Sequence, residues 1–150
     1  MVSYSTEDKE EMKNAFQALA KSKRSRLLEL IEFMKVSGYK KIGIANCLSM
    51  QQYANKLVEI LQNEGFEVFS INCKQSGLEA SEISPDMKGA SCDPLSQAEY
   101  LNEMETDFNI NVGLCLGHGL LFDKYSKAPV TTFIVKDFAH NHNVLESLMG

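Results

Sequence analysis

The sequence predicts an α/β fold, a small three-layer doubly wound sheet of about four parallel strands in the order 2-1-3-4, with N-terminal helices packed on one face. Three observations predict it. Short apolar runs, Lys41 to Cys47, Phe66 to Asn72, Ile110 to Leu116 and Val130 to Val135, alternate with segments of helical period. Ile42, Ile44 and Ala45 crowd apolar residues together, as in a strand buried on both faces. The connections are mostly short, which implies right-handed crossovers and parallel pairing.

The elements follow in order. The first 37 or so residues read as helix. Ser5 with Asp8 forms a capping box, and Met12, Ala15, Phe16 and Leu19 recur at helical spacing, the apolar face of a helix that reads as part of a cover packed on the sheet. After a break near Lys21-Ser22, Leu27, Leu28, Leu30, Ile31 and Met34 repeat the pattern up to Gly38. Beyond the first strand, Ser49 with Gln52 gives a second capping box, opening a helix that ends at Gly65. Residues 74–92 are irregular, a length of loop that is often functional. Asp93 as N-cap and Pro94 at the first helical position start the next helix. A short helix from about Gly119 to Tyr125 joins the third and fourth strands, and Asn143 to Met149 adds a final helical turn or two. The whole, residues 1–150, reads as one Rossmann-like domain, with residues 1–37 as a helical extension packed on it.

Composition narrows the partners. Hydrophobic residues make up 44% and charged residues 23%, as in a globular domain. A net charge of −5 leaves no electrostatic footprint for nucleic acid, and the basic cluster Lys21 to Arg26 reads as a solvated helix face. No apolar stretch approaches the ~20 residues of a membrane span, and the N-terminus lacks the apolar core of a signal peptide. A cytoplasmic protein without a membrane partner is therefore expected, its thiols reduced. A homo-oligomer is compatible with this composition.

The chemistry is expected where the cysteines gather. Cys47, Cys73 and Cys115 each end a strand-like run, and Cys92 stands just before the helix start at Asp93. Ligands of open α/β sheets bind outside the carboxyl ends of the strands, at the point where the strand order reverses. Cys47 and Cys115 would stand on the two lips of that crevice. In Gly113-Leu-Cys-Leu-Gly-His-Gly119, Cys115 and His118 have a spacing that one turn can bring to a single ion. Cys47, Cys92, Cys115 and His118 are thus the candidate metal ligands, with Cys73 and His142 in reserve. Zinc is the first expectation and an iron–sulfur cluster the second, since both accept thiolate sulfur.

Two other readings compete for that place. Helices beginning near Ser49 and His118 would point free N–H groups at the crevice, with Ser49, Gly117 and Lys124 as candidates to hold an anionic small molecule. The same field would favour a thiolate, so that Cys115 or Cys47 could act as nucleophile with His118 as base in a metal-free thiol enzyme. In the plainest reading the cysteines only pack, in a small-molecule binding module. Lys124 and Tyr125 could equally form a solvated helix end, His140 and His142 an exposed loop, and Asp137 and Glu82 ordinary surface acids.

Several short motifs carry a resemblance. Gly43-Ile-Ala-Asn-Cys47, Asn72-Cys-Lys74, Cys92-Asp-Pro-Leu-Ser-Gln-Ala-Glu99, Leu101-Asn-Glu103, Thr106-Asp107, Gly113 to His118 and Lys124 to Thr132 occur in this order. Together they resemble the cysteine-rich uncharacterised metal-binding protein family, catalogued as domain of unknown function eighteen-forty-seven, over about residues 42–143. The resemblance implies a metal site on the matched cysteines and His118, and names no reaction. It also implies further cysteines in an N-terminal segment, where this chain has none before Cys47, and an aspartate after the histidine, where this chain has Gly119.

Overall fold

The computed structural model describes residues 2–150. Helix α1 (Thr6–Lys21) starts at Ser5, whose hydroxyl accepts the Asp8 N–H at 3.1 Å. Helix α2 (Arg26–Val36) starts at Ser25 in the same way, accepting from Leu28 N–H at 3.3 Å. Each cap satisfies a backbone donor that the first helical turn leaves free. The stripe expected to point inward from α1 does not: Met12, Phe16 and Leu19 are exposed, and Ala18 is the buried residue. The reason is layering. Leu30, Ile31 and Met34 of α2 already cover the sheet, so α1 packs on α2 through its small face.

Strand β1 (Lys41–Asn46) leads through a 3-10 turn, Leu48–Met50, into α3 (Gln51–Asn63). Strand β2 (Glu67–Asn72), α4 (Pro94–Glu103), β3 (Phe108–Val112), α5 (Leu116–Tyr125), β4 (Val130–Ile134) and α6 (Val144–Met149) follow. All strands are parallel, in the order β2-β1-β3-β4. The switch point lies between β1 and β3, as expected. Helices α2 and α3 share one face, joined by Lys35 and Glu64 at 2.6 Å, while α4 and α5 pack side by side on the other. Among the described residues, no helix is long and apolar enough to cross a membrane.

The core joins both layers through Ile42, Ile44, Leu61, Leu101, Ile110, Val112 and Phe122, all fully buried. Gly43 is needed where α4 meets β1: a Cβ there would lie 2.8 Å from Leu101 Cδ1 and collide with Asn109 Oδ1. One turn earlier on α4, Gln97 ties the carboxyl ends of β1 and β2. Its Nε2 donates to Ile71 O at 2.9 Å and to Asn46 O at 3.2 Å.

Register decides what reaches the carboxyl edge. Asn46 pairs with Asn72 on one side and Val112 on the other, so β1, β2 and β3 end level. Cys47 and Cys73 are the next residues of their strands. Three local expectations are corrected. Helix α5 begins at Leu116, three residues early, so Gly117 and His118 lie in its first turn. Ser49 caps nothing: α3 starts after the 3-10 turn, and the hydroxyl turns back to Cys47. The segment 74–92 is folded on itself by a turn at Ala80–Glu82 and a Glu79–Ala90 bridge.

Candidate functional site

All four cysteines are free thiols, and they meet the carboxyl edge as two pairs. The first pair is joined by Lys136, two residues past β4. Its Nζ donates to Cys115 Sγ at 3.0 Å and to Cys47 Sγ at 3.2 Å, spanning the crevice between β1 and β3. Cys47 Sγ also shares a hydrogen bond of 3.0 Å with Ser49 Oγ. The second pair is Cys73 and Cys92. Asp93 N–H donates to Cys73 O at 2.6 Å, which pins Cys92 beside Cys73. Leu48 N–H donates to Cys73 Sγ at 3.3 Å and links the pairs through the backbone.

The backbone that delivers these sulfurs follows from the sequence. Cys47 N–H donates to Val112 O at 3.2 Å, extending the β1–β3 ladder one step beyond the strands. Gly113 then turns the chain at φ +69°, a conformation that suits glycine, and any Cβ would press on Met50, 3.1 Å from its Sδ. Asn111 Oδ1 accepts Leu114 N–H at 3.0 Å and holds the turn that carries Cys115 back toward Cys47.

The electrostatics of the two pairs differ. Burial pushes the Cys47 thiol up, but Ser49, through hydroxyl and backbone N–H, and the Lys136 ammonium outweigh it, holding Cys47 below the ordinary thiol range. Burial works against the charge on Lys136, yet its two sulfur contacts hold that lysine above its usual value. One ammonium balances one negative charge, so Cys47, Lys136 and Cys115 together are neutral with a single thiolate. Cys73 goes the other way. Burial, reinforced by the neighbouring Cys92 and Cys47, pushes it up to about 11 against the Leu48 N–H. Cys47 and Cys73 are thus shifted in opposite directions, one beside an ammonium and the other beside a second thiol.

Beside the first pair opens a cavity of about 480 Å³ between β4 and α5. Cys115 and Lys136 stand at one end, Leu116, Leu120 and Ile134 make apolar walls, and Asp123 lies at the far rim. Along α5 that rim is about 12 Å from Cys115. The first backbone bond of α5 runs from Gly119 N–H to Cys115 O at 2.8 Å, leaving the N–H groups of Leu116, Gly117 and His118 without a carbonyl partner.

Of the residues expected at a site, Cys47, Cys115 and Ser49 come together here, while Gly117 stands in the first turn of α5, exposed and outside the cavity lining. Cys92 and Cys73 form their own pair instead. His118 stands in the first turn of α5 but bonds neither sulfur. His142 is turned away: its Nδ1 accepts Asp137 N–H at 3.0 Å, and its ring packs against Phe138 and Tyr53. Lys124 lies in the last turn of α5, over the Tyr125 ring at 5.5 Å, far from the crevice. Among the described residues, no three His, Cys, Asp or Glu side chains are grouped as a metal ion would need.

Lys136 is the residue that sequence reasoning missed. The signal was the rule already applied to the cysteines: it follows β4 at the same edge where Cys47 and Cys115 follow β1 and β3.

A family model described as "Protein of unknown function (DUF1847)" matches residues 1–133. The chain belongs to this family. The match takes in both N-terminal helices and ends at residue 133, which corrects the extent of 42–143 at both ends and places the cysteine-free segment inside the family's span. A relative from Methanocaldococcus jannaschii, itself described as an uncharacterized protein, is 52% identical over 126 residues. That alignment covers 81% of this chain and 65% of the relative. No solved structure matches the chain.

Proposed function

We propose that the protein is a thiol-dependent enzyme acting on a small molecule, with Cys115 as the attacking sulfur. The observation that carries this is the shared ammonium: Lys136 touches Cys115 and Cys47 at the mouth of a cavity. A thiolate needs a nearby cation or donors to form near neutral pH, and Lys136 supplies that cation. Cys115 is half-buried and lines the cavity, so a substrate can reach it. A polar or anionic group on the substrate would be received by the free N–H groups of Gly117 and its neighbours. The role expected for His118 passes to Lys136, which holds the negative sulfur and returns a proton to a leaving group. Alkylation by iodoacetamide, mapped by mass spectrometry, tests this. Fast labelling of Cys115 at neutral pH, slowed in Lys136→Met, supports it; labelling of all four thiols at the slow rate of an unperturbed cysteine overturns it.

Metal binding is the second reading. Four thiols share one edge, and a cation already sits between two of them. Zinc, or next an iron–sulfur cluster, would take Cys47 and Cys115 in place of the Lys136 ammonium, and the remaining ligands would have to come from residues not grouped with them here. Elemental analysis of protein purified without oxygen separates the readings. Near-stoichiometric metal that disappears in Cys115→Ala favours the second, and metal-free protein with a reactive Cys115 favours the first.

A further inference from the structure

We infer that Cys115 and Cys47 are a dithiol couple that reduces low-molecular-weight disulfides, Cys115 attacking the substrate and Cys47 resolving the mixed disulfide. The inference rests on the thiol-enzyme reading and names its substrate class.

The geometry separates the two roles. Cys115 lines the cavity and meets whatever enters it. Cys47 is only 9% exposed and does not line that cavity, so Cys115 is the sulfur a substrate in the cavity meets first. What Cys47 can reach is Cys115. Both sulfurs touch the same Nζ, at 3.2 and 3.0 Å. Moving the lysine aside lets the side chains rotate toward bonding distance, about 2.05 Å in a disulfide. The flexible four-carbon stem of lysine allows that movement.

The chemistry of the site favours sulfur over carbon as the electrophile. An acyl-enzyme on Cys115 needs a base to activate water. Among the described residues neither sulfur bonds an imidazole or a carboxylate, since His118 bonds neither and His142 is engaged with Asp137. Thiol–disulfide exchange needs no activated water, only a thiolate, access and a leaving thiol. A second thiol at this distance would also intercept any sulfur-linked intermediate before water did.

The steps balance. The Cys115 thiolate attacks one sulfur of a disulfide RSSR, forming the Cys115–SR bond while the S–S bond breaks and RS⁻ leaves, taking a proton from the Lys136 ammonium and leaving it a neutral amine. Cys47, giving up its own proton to Lys136, then attacks Cys115 Sγ. The Cys47–Cys115 bond forms and the second RS⁻ leaves. The substrate gains two electrons and becomes two RSH, while the dithiol loses two electrons and becomes a disulfide. A second dithiol returns the couple to its starting state by the same exchange in reverse.

The test uses the full chain with hydroxyethyl disulfide under anaerobic conditions, quenched with N-ethylmaleimide and read by intact mass and peptide mapping. The wild type should release both halves of the probe and show a peptide joining Cys47 to Cys115. Cys47→Ser should stall with one half of the probe bound to Cys115, and Cys47→Ala should do the same if serine disturbs the fold. Cys115→Ser should react at least ~10-fold more slowly, because the remaining sulfur of the couple is buried. Equal and stable mixed disulfides on Cys115 in wild type and Cys47→Ser would overturn the inference and leave the thiol-enzyme reading standing. A bond between Cys73 and Cys92 instead would also overturn it. If Cys115 reacts with neither the disulfide nor iodoacetamide, the thiol-enzyme reading fails with it.

Discussion

Replacing Lys136 with methionine removes one charge and keeps most of the stem. The ammonium sits 3.2 Å from Cys47 Sγ and 3.0 Å from Cys115 Sγ. Two unit charges 4 Å apart are worth about 1 kcal/mol in water and about 4 kcal/mol near a protein surface. Lys136 is half-buried, so solvent screens part of that attraction, and roughly 1–3 kcal/mol of thiolate stabilisation is the working range. Removing the ammonium should therefore raise the half-maximal pH of Cys47 alkylation. Ser49 still bonds Cys47 in the variant, so the thiolate is weakened and not abolished. The assay is the rate of iodoacetamide labelling against pH, resolved by site, in wild type, Lys136→Met and Lys136→Arg. Arginine keeps the charge and should recover part of the shift. A Lys136→Met profile that overlays the wild type would refute the idea that the shared ammonium governs these sulfurs.

Three further outcomes are expected. Cys73 carries a raised folded-state value of about 11 against an ordinary 9.0, so its contribution is intact below pH 9 and is lost as pH rises toward 11. Urea unfolding should show wild type losing up to about 2–3 kcal/mol relative to Cys73→Ala across that window; parallel pH curves would contradict it. Gly113→Ala should cost about 2–4 kcal/mol, from the positive φ and the contact with Met50, and should slow labelling of Cys115 because the turn carrying it shifts. Met50→Ala in that background relieves the contact but not the φ, so full rescue would show that backbone strain contributes nothing. Gln97→Leu should cost about 2–4 kcal/mol, because the Asn46 and Ile71 carbonyls lose a buried donor. A melting temperature equal to wild type would show that this tie between β1 and β2 is dispensable.

Much of the architecture was legible because it depends on local period. Strand and helix alternation, the Ser5 and Asp93 caps, and the glycine stop before β2 all act within a few residues. Together with the handedness of crossovers they led to the order β2-β1-β3-β4. The arrival of Cys47, Cys73 and Cys115 at one edge was legible for the same reason. Where period alone misled was α1: Met12, Phe16 and Leu19 have the spacing of an inward stripe and face outward. A helix pattern states that one face is apolar, while the number of layers beneath it decides whether that face is covered.

The sequence by itself determined that Cys47 and Cys73 follow β1 and β2 directly, while the third strand, expected over Ile110 to Leu116, ends at Val112 and leaves Cys115 as the N-cap of α5. Tertiary structure alone decided how those thiols pair. Cys92 joins Cys73 because the 74–92 segment folds back until Asp93 N–H meets Cys73 O. Cys47 and Cys115 share Lys136 because β4 lies beside β3 and the Gly113 turn brings the chain back over the crevice. A single lysine after a strand has no period, spacing or motif to mark it. Its partners lie 89 and 21 residues away along the chain, so only the folded arrangement gives its charge a role.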